Sequence, residues 1–151
     1  FGRLLRATFG ANLASKAKPA ASNVRGGDSR SFGPARLLDG DRETYWATDE
    51  QVTTPEAVLE FAKPVTFNIV RLREAIRLGQ RVDDWALDAW QNGKWAEFAK
   101  GTAIGACRLV RGKPMTTLKV RLRITRAPVC PAIAEFGLFL EPKGAAGSIR
   151  R

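Results

Sequence analysis

Hydrophobic and polar positions alternate along most of this chain in short runs, and the runs predict strands. Ala57-Val58-Leu59-Glu60-Phe61 is the first clear run, closed by a Lys63-Pro64 turn, and Thr66 to Arg73 is a second with mixed facing. Trp85 to Trp90 alternates, Gln91-Asn92-Gly93-Lys94 carries the Asn-Gly pair of a type I′ hairpin, and Trp95 to Phe98 forms the returning strand. In Lys119-Val120-Arg121-Leu122-Arg123-Ile124 the period of two sends Val120, Leu122 and Ile124 inward and the three cations outward. That strict alternation makes Leu118 to Thr125 a central strand, and Ile133 to Leu140 completes the set. About seven turn-separated strand signals, with no amphipathic helix between them, predict an all-β antiparallel β-sandwich.

The two ends read differently. Phe1, Leu4, Leu5, Thr8 and Phe9 recur at helical spacing, which predicts a short helical junction over residues 1–11, handed on from a preceding catalytic domain. Residues 142–151 are Gly/Ala-rich and basic and read as a flexible tail, leaving 12–141 for the sandwich. Ser22 to Pro34, rich in Gly, Ser, Arg and Asp, reads as one long loop. With no initiator Met and no signal-peptide pattern, the chain is expected to be a piece of something longer, from an exported protein.

Composition narrows the chemistry. A chain of 151 residues with 44% hydrophobic residues and four Trp supports one packed domain. No apolar run approaches the roughly 18–20 residues that span a membrane. The absence of histidine removes Ser-His-Asp and Cys-His nucleophilic machinery, imidazole proton transfer and His-containing zinc sites. No isolated carboxylate pair suggests glycosidase-type catalysis, so the segment reads as non-enzymatic. The net charge of +10 raises nucleic acid or an acidic polymer as a partner, with a basic β-domain that binds anionic polymers as one alternative function, but the cations are scattered from Arg3 to Arg151 and the one dense alternation, Lys119 to Ile124, reads as a solvated outer face. Cys107 and Cys130 leave a single disulfide or two thiols open.

One stretch concentrates oxygen ligands. Leu38-Asp39-Gly40-Asp41-Arg42-Glu43-Thr44-Tyr45-Trp46 holds carboxylates and a hydroxyl around a permissive glycine, which suits a hard cation or, equally, a solvated acidic turn leading into a core Tyr-Trp pair. Planar groups able to grip vicinal hydroxyls lie in two other loops and at Arg108. The first loop offers Arg25, Asp28 and Arg30; the second, Glu74 to Arg81, offers Glu74, Arg77, Gln80 and Arg81. The alternative for the second loop is a buttressing or interdomain role. No loop displays an exposed Trp or Tyr platform. Trp85 alternates with Leu87 and Ala89 as a core residue would, while Trp90 has the opposite parity.

The order Asn12-Leu13-Ala14, Leu38-Asp39-Gly40-Asp41, Thr44-Tyr45-Trp46 and Asp88 to Trp95, closing on Ala134-Glu135-Phe136-Gly137, resembles a discoidin, or coagulation factor V/VIII type C, domain. Phe67-Asn68, Glu74 to Val82 and Gly101-Thr102-Ala103-Ile104-Gly105 are similar to the C-terminal domain of family-29 α-L-fucosidases. The resemblance implies a jelly-roll sandwich of about eight strands that serves as a carbohydrate-binding or accessory module, or alternatively as a purely structural domain packed on the catalytic barrel, with that barrel outside this chain. It implies fucosylated or galactose-containing glycans and the fucosidase catalytic domain as partners. It also implies a structural calcium held by Asp39 and Asp41, the Thr44 hydroxyl, the carbonyls of Arg36 and Ala134, and Glu135. The alternative pairs Asp39 with Arg36 or Arg42 and Glu135 with a strand arginine, without metal. In such domains Trp46 and Trp95 are core positions, so at least three of the four tryptophans are expected inside.

Overall fold

A computed structural model describes residues 11–142, so the predicted helical junction, but for its last residue, and the predicted tail, but for its first, lie outside the described residues. Seven strands build the domain: β1 (Lys18–Ala21), β2 (Trp46–Ala47), β3 (Glu56–Glu74), β4 (Asp84–Gln91), β5 (Lys94–Thr102), β6 (Arg108–Arg126) and β7 (Ala132–Phe139). All pairings are antiparallel, in the order β2-β7-β3-β6-β4-β5, with β1 on the other part of β3. The expected sandwich is present. No helix among the described residues is long and apolar enough to cross a membrane.

The architecture rests on β3 and β6, each 19 residues long. Ala57–Glu60 of β3 pairs with β1 and Glu56–Glu60 with Lys119–Arg123 of β6, whereas Ile69–Glu74 pairs with β7 and Ile69–Leu72 with Arg108–Arg111. Both strands therefore belong to both layers. They change layer where the register slips between Glu60 and Val65, an irregularity that lets a strand bend. Lys63-Pro64 lies in this bend and is not a chain reversal, because a proline that lacks a ladder donor fits a register break as well as a turn.

The core lies between the layers. Val120, Leu122 and Ile124 all face it, as their alternation requires, together with Leu59, Trp85 and Leu87 from the same layer. Val70, Leu72, Phe136, Leu138 and Trp46 close it from the other side. Trp46 satisfies its indole N–H on the Asn23 carbonyl at 3.0 Å. Trp85 lies against Gly101, where an added Cβ would come within 2.9 Å of the indole. The Asn-Gly hairpin is as expected, with φ of 52° at Asn92 and 80° at Gly93, the two positive values that a type I′ turn demands.

Three further expectations need correction. Trp95 is half-buried on the outer face, paired edge-on with Trp90 at 5.1 Å, so two of the four tryptophans are core and not three. The Ser22 to Pro34 loop holds a 3-10 turn, Arg25–Gly27, and a one-turn helix, α1 (Ser29–Phe32), capped by Asp28. The outward cations of β6 are also not simply solvated. Asp88, 2% exposed, accepts from Arg121 Nε at 2.9 Å and from Arg123 Nε at 2.6 Å and Nη2 at 3.0 Å.

Burial works to raise the Asp88 pKa, but the bonds from Arg123 and Arg121 outweigh it and hold the carboxyl below the ordinary aspartate range. A depressed folded-state pKa contributes stability that is present above the unfolded-state value, near 4, and is lost as pH falls through the folded value. Asp88→Asn should therefore cost about 3 kcal/mol at pH 7, the scale for breaking a buried ion pair. Urea unfolding at pH 7 and pH 3 checks this, and the deficit should shrink in acid.

Candidate functional site

The registers gather the loops 22–45, 48–55, 75–83, 103–107 and 127–131 at one end of the sandwich, away from the bend and the hairpin. Glu74 organises this end. Its side chain is 3% exposed, and its carboxylate accepts the backbone N–H groups of Arg81 at 2.7 Å, Val82 at 3.0 Å and Gly105 at 2.8 Å. One buried anion thus fastens two loops to the end of β3, with Gly79 (φ 93°) allowing the intervening turn. Glu74 faces inward, so the expectation that it grips a sugar gives way to the buttressing alternative.

Arg81 and Arg25 also point into the protein framework. Arg81 donates to the Cys130 carbonyl at 2.9 Å, and Arg25 donates to the Thr48 carbonyl at 3.0 Å and to Cys130 Sγ at 3.4 Å while stacking over Phe32. Asp28 caps α1 through the Ser31 N–H, and that bond lowers its pKa. The Arg30 carbonyl accepts from Arg36 Nε at 3.0 Å. Arg108 is half-buried, with its Nε unpartnered among the described residues. Of the named sugar candidates, Asp28, Arg30, Arg77 and Gln80 are solvent-exposed. Cys107 and Cys130 are free thiols, the first exposed and the second buried.

Between the acidic turn and the 75–77 segment lies a cleft of about 250 Å³, lined among others by Arg42, Glu43, Tyr45, Arg73, Ile76 and Arg77. Arg77 and Glu43 pair across its mouth at 2.9 Å and are both largely exposed (66% and 73%). Arg42 is exposed and makes no ion pair among the described residues. Arg42, Glu43, Tyr45 and Arg73 were not singled out from the sequence. The signal available for Arg73 was its place two residues from Arg71 on one strand face.

A second hollow of about 260 Å³ adjoins the first through Arg42, Arg73 and Ala134, and brings Asp41 and Glu135 to one wall. These belong to the set implied for calcium. Glu135, however, gives one oxygen to Arg71 at 2.8 Å and the other to Arg73 at 2.6 Å. Asp39 pairs with Arg36 at 3.4 Å and takes the Thr44 hydroxyl, while Asp41 accepts the Glu43 N–H at 2.8 Å. A cation here would face two guanidinium groups already bound to its main carboxylate. Among the described residues no three acidic, His or Cys groups converge, and the donors as arranged do not fit calcium.

A family model for the F5/8 type C domain matches residues 18–136. The chain is 32% identical to Alpha-L-fucosidase 1 of Arabidopsis thaliana over 144 residues, which are 93% of this chain and 28% of that protein. It is 31% identical to a Ruminococcus gnavus GH29 fucosidase solved in complex with fucose, with a TM-score of 0.84 over 96% of this chain and 30% of that one. Chitosan-binding module 1 of a Paenibacillus chitosanase/glucanase shares the fold at 20% identity, with a TM-score of 0.74 over 87% of this chain and 98% of the module. The chain spans about 28% of the length of the curated relatives it matches.

Two outcomes follow from this geometry. Glu74→Ala leaves three N–H groups, one of them buried and two half-buried, without an acceptor and should cost about 3 kcal/mol in urea unfolding, with no glycan present. Melting curves in calcium and in excess chelator should coincide; a calcium-dependent rise would mean that Glu135 leaves Arg71 and Arg73 for the ion.

Proposed function

This chain belongs to the F5/8 type C domain family, and from that premise we propose that it is a non-catalytic carbohydrate-binding module acting beside an α-L-fucosidase catalytic domain. The glycans it would hold are fucosylated or galactose-containing, and the contact surface is the cleft between the acidic turn and the 75–77 segment.

The observation that carries this reading is the division of labour at the loop end. Glu74, Arg81 and Arg25 are spent on holding loops in place, whereas Arg42, Glu43 and Arg77 remain at the surface around a hollow of about 250 Å³. Guanidinium and carboxylate groups bind neighbouring hydroxyls through paired hydrogen bonds, and a fixed framework limits the entropy lost when they do so. Neither glutamate lining the cleft is free for acid or nucleophile work: Glu74 is saturated by three N–H groups and Glu43 is paired with Arg77. The resemblance to α-L-fucosidases supports the partner, and the fucose present in the Ruminococcus gnavus structure belongs to that protein alone.

A glycan array with this chain tests the reading. Arg42→Ala and Arg77→Ala should each weaken binding by about tenfold, the loss of roughly 1.4 kcal/mol, with melting unchanged because both residues are exposed. If no glycan binds, yet joining the domain to a fucosidase catalytic domain raises its activity, the module is accessory without being carbohydrate-binding. Failure in both assays would overturn the proposal.

A further inference from the structure

The outer face of the layer formed by β1, β3, β6, β4 and β5 carries a feature that the loop end does not explain. Lys119, one of the outward cations of β6, places its ammonium 4.2 Å from the centre of the Trp90 ring. Trp95 meets Trp90 edge-on and is itself covered by Arg121 at 4.5 Å. Beside them a cleft of about 390 Å³ is lined by Lys16, Lys18, Glu60, Trp90, Leu118 and Lys119, with Phe61 and Ala62 at the bend of β3. Lys16 and Lys18 are exposed, and Leu118 is an apolar side chain left 45% exposed beside them.

Three lysines, Lys16, Lys18 and Lys119, line this cleft with one carboxylate, Glu60. None of Lys16, Lys18 and Lys119 makes an ion pair among the described residues, while the neighbouring arginines of the same face are spent on Asp88. The cleft thus offers net positive charge beside the exposed apolar side chain of Leu118. We propose that it is a second binding site, for an acidic polysaccharide whose sulfate or carboxylate groups meet the lysines while its C–H groups rest on Leu118. The site lies at the opposite end of the sandwich from the loop cleft and does not depend on it.

Charge complementarity alone would also admit nucleic acid or an anionic membrane, and the local geometry favours neither. Single-stranded nucleic acid is gripped by stacking successive bases on open aromatic faces. Here the two indoles lie edge-to-face with each other, and each already carries a cation. A membrane-binding surface presents apolar side chains that insert into the bilayer. Leu118 stands instead in a cleft on the face of a sheet.

The test uses this chain with dextran sulfate and polygalacturonate as probes, set against neutral dextran, a single-stranded oligonucleotide and phosphatidylserine vesicles. At least one acidic polysaccharide should bind, neutral dextran should not, and Trp fluorescence should change on binding. Lys16→Gln with Lys18→Gln should weaken binding by about tenfold or more and flatten its salt dependence. Lys94→Gln with Lys100→Gln, which removes the same charge elsewhere, should change it by less than about threefold. Arg42→Ala should have no effect, which separates this site from the loop cleft. The proposal is overturned if neither acidic polysaccharide binds, if both lysine pairs weaken binding equally, or if oligonucleotide or vesicles bind more tightly through the same lysines.

Discussion

Everything in this domain depends on two strands that belong to both layers. Because β3 and β6 pair with each other on either side of their common bend, neither layer has a complete set of strands of its own. The sandwich therefore has no half that can persist when the other is lost, and its unfolding should be cooperative. The same continuity explains the placement of charge. The inner parity of β6 supplies Val120, Leu122 and Ile124 to the core, which leaves Arg121 and Arg123 to the outside, where Asp88 gathers them. A buried carboxylate under two guanidinium groups answers the outward cations of this amphipathic strand, and it fixes β4 against β6.

Much of this was legible in the sequence because strand period and turn chemistry are local. The alternation from Val120 to Ile124, the Asn92-Gly93 turn and the run from Ile133 each translated directly into structure. What was not legible depends on partners distant in sequence. Lys63-Pro64 has the composition of a turn, yet β6 pairs with β3 on both sides of it and converts it into a bend. The β6 segment before Leu118 lacks a clean apolar alternation, and only its pairing with β3 makes it a strand. Trp95 looked like a core residue by family position, but it shares its face with Trp90 and Arg121, outside the sandwich.

At the loop end the sequence gathered the correct segments but could not assign their directions. Glu74, Arg81 and Arg25 are residue types that serve equally well to bind a ligand or to hold a loop. Which task they perform is decided by N–H groups and carbonyls brought from as far away as Cys130. The residues that remain at the surface, Arg42 and Glu43, lie in the same stretch as Asp39 and Asp41, and their residue types alone do not separate ligand contact from metal binding. Glu135 is equally ambiguous. As a lone carboxylate near the end of the chain it suits a cation, and only the outer face of β3 reveals that Arg71 and Arg73 reach it first.

The two thiols of this chain occupy opposite chemical situations. Cys130 is 8% exposed beneath Arg25 and Arg81, where a reagent in solution has no direct approach. Cys107 is exposed and stands on the wall of the loop-end cleft, beside Ala106 and Arg73. A maleimide dye or spin label added to the folded protein would therefore attach at one place, chosen by accessibility alone and without removal of the other cysteine. The chain in this way carries a ready-made handle at the rim of its own cleft, close enough for a probe to report what enters there.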